Sequence, residues 1–185
     1  MSQRTDMAAE PVQHRLAVIF FADVLDYHPL LREEEEILAA VKSDIAETFD
    51  PYIAAHNGQT FKTMVNGLLV EFASVVDAVR CAVKVQRAMK DRNAERAEDR
   101  KIEFRIGINL GDVVVEGREL YGYGVGVAAR LERLAEPGGI WISGSVFEQV
   151  RDKLEVAFEY KGNLQNLQAK NIDGPVHAYR VLDCP

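Results

Sequence analysis

The order of periodicities along this chain predicts an α+β fold: a ferredoxin-like, mainly antiparallel sheet with helices packed on one face. Three observations carry that expectation. Leu16 to Ala22 is apolar at every position and precedes a stretch with helical spacing. Thr60 to Phe72 reads as a hairpin and precedes a second amphipathic segment. Strand character then returns over Ile102–Val115, with a glycine-rich loop and another helix behind it.

Each element follows from its own pattern. The β-branched and aromatic run Leu16–Ala22 predicts a strand buried on both faces, since a strand with one wet face would alternate. Leu30, Leu31, Ile37, Leu38, Val41, Ile45 and Phe49 recur at spacings of three and four, which predicts a long helix. The acidic block Glu33–Glu36 reads as its solvated face near a helix N-terminus, where the macrodipole favours negative charge, rather than as an acidic binding tract. Asn57-Gly58 ends that helix. Asn66-Gly67, the dipeptide most favoured in a type I′ turn, predicts the hairpin tip. Ser74 reads as a cap for a helix through Met89 that gives out in the charged stretch Lys90–Lys101. Gly111-Asp112 predicts a break in the next strand region. Gly122 to Ala135 reads as a loop feeding a helix stopped by Pro137-Gly138-Gly139, and Ile140–Ile142 as a short strand. A short capped helix over Ser143–Val150 and strands near Val156–Tyr160 and Val176–Val181 complete the pattern.

With 185 residues and 48% hydrophobic content, the chain fits one sizeable core and one domain. The expected division is a flexible segment over 1–13, the domain over 14–182 and a tail over 183–185. A net charge of −7 without any Lys/Arg run argues against nucleic acid as a partner. Only Cys81 and Cys184 are present, so no disulfide framework or thiolate metal site can be argued, and a cytoplasmic location fits. The residues before Gln13 lack a secretory core, and the longest apolar run is far short of the ~20 residues a membrane helix needs, so no membrane contact is expected within this segment.

Four segments, in this order and spacing, resemble the class III nucleotidyl cyclase catalytic domain: Phe20-Phe21-Ala22-Asp23-Val24, Phe61 to Leu69, Arg105 to Asp112, and Tyr121 to Glu132. The resemblance runs from about His14 to Leu182. It implies conversion of ATP or GTP to a cyclic nucleotide and pyrophosphate, with Mg²⁺ or Mn²⁺ as cofactor and a site shared between two subunits. A homodimer is the implied assembly, and a heterodimer with another cyclase domain is the alternative.

Carried over residue by residue, the resemblance places Asp23 at the first metal-binding aspartate, with the Val24 carbonyl as a further ligand. Asn66 stands where the second metal aspartate is expected. An amide keeps an oxygen but loses the negative charge a hard cation needs, and Asn66-Gly67 read alone is simply a good turn. Lys62 matches the base-selecting lysine, with an exposed strand lysine as its plain alternative. Tyr123 occupies the position of that lysine's aspartate companion. Arg130 matches the transition-state arginine, or is a surface cation. Gly126 replaces the asparagine expected four residues before it, on the same helix face. Asp26 and His28 depart from the glycine and small hydroxyl residue of the phosphate-approaching turn, and Asp26 is a candidate substitute ligand.

These departures imply impaired catalysis. The alternative is an inactive pseudo-cyclase that dimerises or senses nucleotide, and a pure protein-interaction module is not separable from it by sequence.

Overall fold

A computed structural model of the chain describes residues 12–24, 34–166 and 174–182. Its centre is β1 (Gln13–Val24), which pairs antiparallel with β3 (Gly67–Phe72) on one side and β4 (Phe104–Glu116) on the other. Val18, Phe20, Ala22 and Val24 point into one core layer, while Ala17, Ile19 and Phe21 point into another. Both faces of β1 are covered, which is why the sequence shows an unbroken apolar run instead of alternation.

Leu30 and Leu31, the first residues of the expected long helix, lie outside the described residues. Its described part is α1 (Glu34–Asp44), a π-helical turn (Ile45–Phe49) and α2 (Asp50–Ala55). Pro51, at the start of α2, has no N–H to continue the α ladder, which accounts for the interruption of an otherwise continuous helical pattern. The buried Asp44 carboxylate accepts from Arg92 Nε at 2.9 Å and from Arg96 Nη2 at 2.6 Å, tying α1 to the next long helix. Asn57, at φ 57°, ends the region in the left-handed conformation, as Asn57-Gly58 predicts.

β2 (Gly58–Thr63) and β3 form the expected hairpin, but its tip differs from the expected type I′ turn. Neither Asn66 nor Gly67 has a positive φ. Met64 N–H donates to the Gly67 carbonyl at 2.7 Å, and Gly67 already belongs to β3. The tip is shaped by docking on β1. A Cβ on Gly67 would overlap the Ala22 carbonyl and lie 2.9 Å from Asp23 Cβ, so glycine is required here by close approach.

Ser74 Oγ accepts from Asp77 N–H at 3.2 Å and caps α3 (Val75–Ala94). The expected break at Gly111-Asp112 is absent: β4 stays paired with β1 through Ala17↔Gly111 and Leu16↔Asp112. Gly111 is instead a place where a helix seats, since an added Cβ would meet Gly124 Cα at 3.3 Å. Then come β5 (Glu119–Tyr121), which the sequence pattern does not separate from its surroundings, α4 (Tyr123–Leu134), β6 (Ile140–Ser143), α5 (Gly144–Val150), β7 (Ala157–Asn163) and β8 (His177–Leu182).

The eight-stranded sheet runs β2-β3-β1-β4-β6-β8-β7, with β5 paired to β4. Its first four strands have the ferredoxin-like order, and only the β4–β6 pairing is parallel. The mainly antiparallel sheet and its helical layer are as expected. Helices α1, α2, α3 and α5 share one core with Phe20, Phe49, Phe72 and Phe104. The structure adds a helix on the opposite face, where α4 packs through Ala128 against Ala17, Ile19, Leu69 and Val113. Among the described residues, no helix is long and apolar enough to cross a membrane.

Candidate active site

Asp23 lies next to the last residue of β1, opposite Gly67 on β3 and Arg105 on β4. Its side chain shares the face of Phe21 and Ile19, the face covered by α4. The hairpin tip locks against the same strand end: Val24 N–H donates to the Asn66 carbonyl at 2.8 Å. The register thus brings Asp23, Val24 and Asn66 to one strand end.

Two residues to which sequence reasoning gave no role complete this cluster. Arg105 Nη2 donates to Asp23 Oδ1 at 3.1 Å, and its Nη1 donates to the Arg133 carbonyl at 3.2 Å. Arg105 Nε lies 2.8 Å from Glu132 Oε1, but its N–H is not directed at that oxygen and makes no hydrogen bond. Glu132 is fully buried. With both carboxyls ionised, Glu132 and Asp23 would meet as two acceptors. A proton on Glu132 converts that meeting into a donated hydrogen bond. Burial, then the hydrogen bond and charge of Asp23, push the Glu132 carboxyl up to about 9, against the opposing pull of Arg105 and Arg133. At neutral pH, Glu132 therefore carries its proton, while Arg105 pairs with Asp23.

Gly107 makes the cluster possible. A Cβ there would overlap the Ala128 carbonyl and reach Glu132 Cα at 3.0 Å, so α4 can press onto β4 only at a glycine. The sequence held a signal for both missed residues. Arg105 interrupts an apolar strand between Phe104 and Ile106, and Glu132 falls four residues after Ala128 on the helix face that Val127, Ala128 and Leu131 bury.

The remaining candidates are distributed elsewhere. Lys62 is exposed on β2, opposite Leu69, and so sits two strands from β1 near the Asp23 end. Arg130 is half-buried and Gly126 exposed on α4, where an added Cβ would meet nothing within 4 Å. Tyr123, 45% exposed, opens α4. It lines a cavity of about 320 Å³ with Asp112, Ser145 and His177. Nine residues of helix separate Tyr123 from Glu132, a rise of ~14 Å. One chain therefore does not bring Tyr123 to Asp23. Asp26 and His28 lie outside the described residues.

Among the described residues, no group of three or more His, Cys, Asp or Glu side chains could hold a metal ion. At the β1 end, the donors among the described residues are the Asp23 carboxylate, already paired with Arg105, the Asn66 amide and backbone carbonyls. This set fits one weakly held divalent cation and does not fit a pair of them.

The sequence model described as Adenylate and Guanylate cyclase catalytic domain matches residues 10–181. The chain is 41% identical over 174 residues to a protein named "Putative adenylate cyclase 3" from Rhizobium meliloti, covering 94% of this chain and 29% of that relative. The chain thus spans less than a third of that relative's length. Its fold is similar to the crystal structure of an adenylate/guanylate cyclase/hydrolase from Silicibacter pomeroyi, with a TM-score of 0.85, 35% identity and coverage of 94% and 100% of the two chains. It also resembles the guanylate cyclase domain of RhGC from Catenaria anguillulae, solved in complex with GTP, with a TM-score of 0.74, 19% identity and coverage of 94% and 100%. That last likeness concerns the fold alone.

Proposed function

This chain belongs to the adenylate and guanylate cyclase catalytic domain family, and from that premise we propose that it is a nucleotidyl cyclase domain in which conversion of ATP or GTP to cyclic nucleotide and pyrophosphate is impaired. The observation that carries the reading is the β1 end, where, among the described residues, Asp23 lies opposite the start of β3 at the hairpin tip and Arg105 already pairs it. Mg²⁺ or Mn²⁺ would bind there weakly, through Asp23, the Val24 carbonyl and the Asn66 amide oxygen. Such a cation supplies stabilisation of negative charge on the ribose 3′-oxygen and the α-phosphate.

The chain's own residues do the rest. Arg105 and protonated Glu132 orient Asp23 and hold its charge. Lys62 and Tyr123 meet the base, and Arg130 balances charge on the phosphate as the bond to the leaving pyrophosphate breaks. The separation of Tyr123 from Asp23 along α4 supports a shared site, in which a two-fold homodimer sets Asp23 of one chain against α4 of the other. Gly126 offers no amide to assist Arg130, and loss of one oriented donor costs about a hundred- to a thousandfold in rate.

The second reading is an inactive pseudo-cyclase that dimerises or senses nucleotide, alone or beside an intact cyclase domain. The Arg105–Asp23 pair favours it, since a cation must compete with a guanidinium already in place. The experiment is restoration. Asn66→Asp, Tyr123→Asp and Gly126→Asn are introduced together, and cyclic AMP and cyclic GMP are measured with Mn²⁺. A rise of about tenfold or more supports the impaired-cyclase reading, and no rise contradicts it. Sedimentation tests the assembly: a strict monomer, unchanged by ATP analogues and Mn²⁺, contradicts the shared site.

A further inference from the structure

Away from the candidate active site, on the sheet face opposite α4, the exposed side of α3 forms one wall of a cavity of about 600 Å³. The end of α2 and the segment Lys153–Val156, which follows α5, close its other sides. The lining inverts the charge of the molecule. The chain carries a net −7, yet Arg80, Lys84, Arg87 and Lys153 surround this cavity against only Asp77 and Glu155.

Two features make that inversion informative. Several arginines elsewhere are tied into ion pairs, as Arg15 is to Glu71, Arg92 and Arg96 are to Asp44, and Arg105 is to Asp23, while Arg118, Arg130 and Arg133 are not so paired among the described residues. Arg80, Lys84 and Lys153 make no ion pair among the described residues. Arg80 and Lys84 are also four residues apart on α3, so two like charges are neighbours on a single helix face. That arrangement disfavours the helix unless an anion lies between them. The floor, by contrast, is apolar: Val83 is buried and Leu154 and Val156 are half-buried. The volume falls within the ~300–1,000 Å³ of small-molecule sites, and a few polar groups over an apolar floor is their usual composition.

We propose that this cavity is a binding site for a small organic phosphate, with the phosphate between Arg80, Lys84 and Lys153 and an apolar or aromatic body on Val83, Leu154 and Val156. The proposal is independent of whether the chain is a cyclase, because it uses no residue of the β1 end or of α4. Three cationic donors lining one cavity from two segments suit a dianion. The acids Asp77 and Glu155, which also line the cavity, disfavour a polyanion that would spread over all of it.

The test uses the isotope-labelled domain and phenyl phosphate as probe, with inorganic phosphate and a hexaglutamate peptide as the other arms. Saturable amide shifts concentrated at Val83, Lys84, Leu154 and Val156 are expected. Affinity should fall about tenfold or more in Arg80→Ala/Lys84→Ala, several-fold in Lys153→Ala, and not at all in Asp23→Ala. The Arg80, Lys84 and Lys153 substitutions fall on exposed side chains outside the core, and an unchanged melting temperature verifies the fold. Inorganic phosphate binding as tightly as phenyl phosphate would overturn the role of the apolar floor. Hexaglutamate binding tighter than phenyl phosphate, shifts scattered over all surface cations, or failure to saturate would each overturn the site.

Discussion

Replacing Glu132 by Gln tests the charge arrangement behind Asp23, because Gln keeps the size of a protonated Glu and removes its titration. In the folded chain the carboxyl holds its proton up to about 9, whereas an unfolded Glu releases it near ~4.3. Between those values the folded state binds one proton more than the unfolded state. Stability contributed by this group is thus fully present below the unfolded value and is lost as pH rises toward the folded one. One proton's difference makes the loss about 3 kcal/mol from pH 6 to pH 8. The proton belongs to the Asp23–Glu132 pair as a unit, so the slope counts one proton and no more. Urea unfolding at pH 6, 7 and 8 with a chelator present measures it. The gap between Glu132→Gln and the parent chain should widen in favour of the variant by about that amount, with m unchanged. Parallel stability curves across this range would refute the reasoning and mean that Glu132 is ionised in the fold.

Two further outcomes follow from the packing. Asp44→Ala removes the buried carboxylate that Arg92 and Arg96 share. It should cost about 3 kcal/mol in urea unfolding, the low end for breaking a buried pair, because both arginines retain some exposure and Arg92 keeps Glu47 at 3.0 Å. Gly126→Ala should raise stability by about 0.5–1 kcal/mol, seen as a higher Tm, because the site is exposed within α4 and the added methyl meets no neighbour.

Local chemistry was readable wherever local chemistry decides. The apolar run of β1, the Ser74 cap and the helix end at Asn57-Gly58 each follow from residues' own preferences and appear as the sequence predicts. Where tertiary contact decides, the sequence pattern misled. Asn66-Gly67 favours a type I′ turn in isolation, but contact with Ala22 and Asp23 overrides that preference. Gly111 reads as a strand break because its need for space comes from α4, a partner remote in sequence. The same limit applies to the site. Motif spelling located Asp23 and Asn66 at one strand end. It gave no hint that Arg105 and Glu132 meet there, since their contact arises only when α4 crosses β4 at Gly107.

The central claim is that the β1 end, with one carboxylate already paired, supports little catalysis. The most direct measurement is the release of cyclic AMP and cyclic GMP by the unaltered domain given ATP or GTP with Mn²⁺, beside an Asp23→Ala control. The account predicts rates for the two proteins within about a factor of ten of one another. A rate for the unaltered domain about a hundredfold or more above the control would contradict it, and would make this chain a working cyclase despite Asn66, Tyr123 and Gly126.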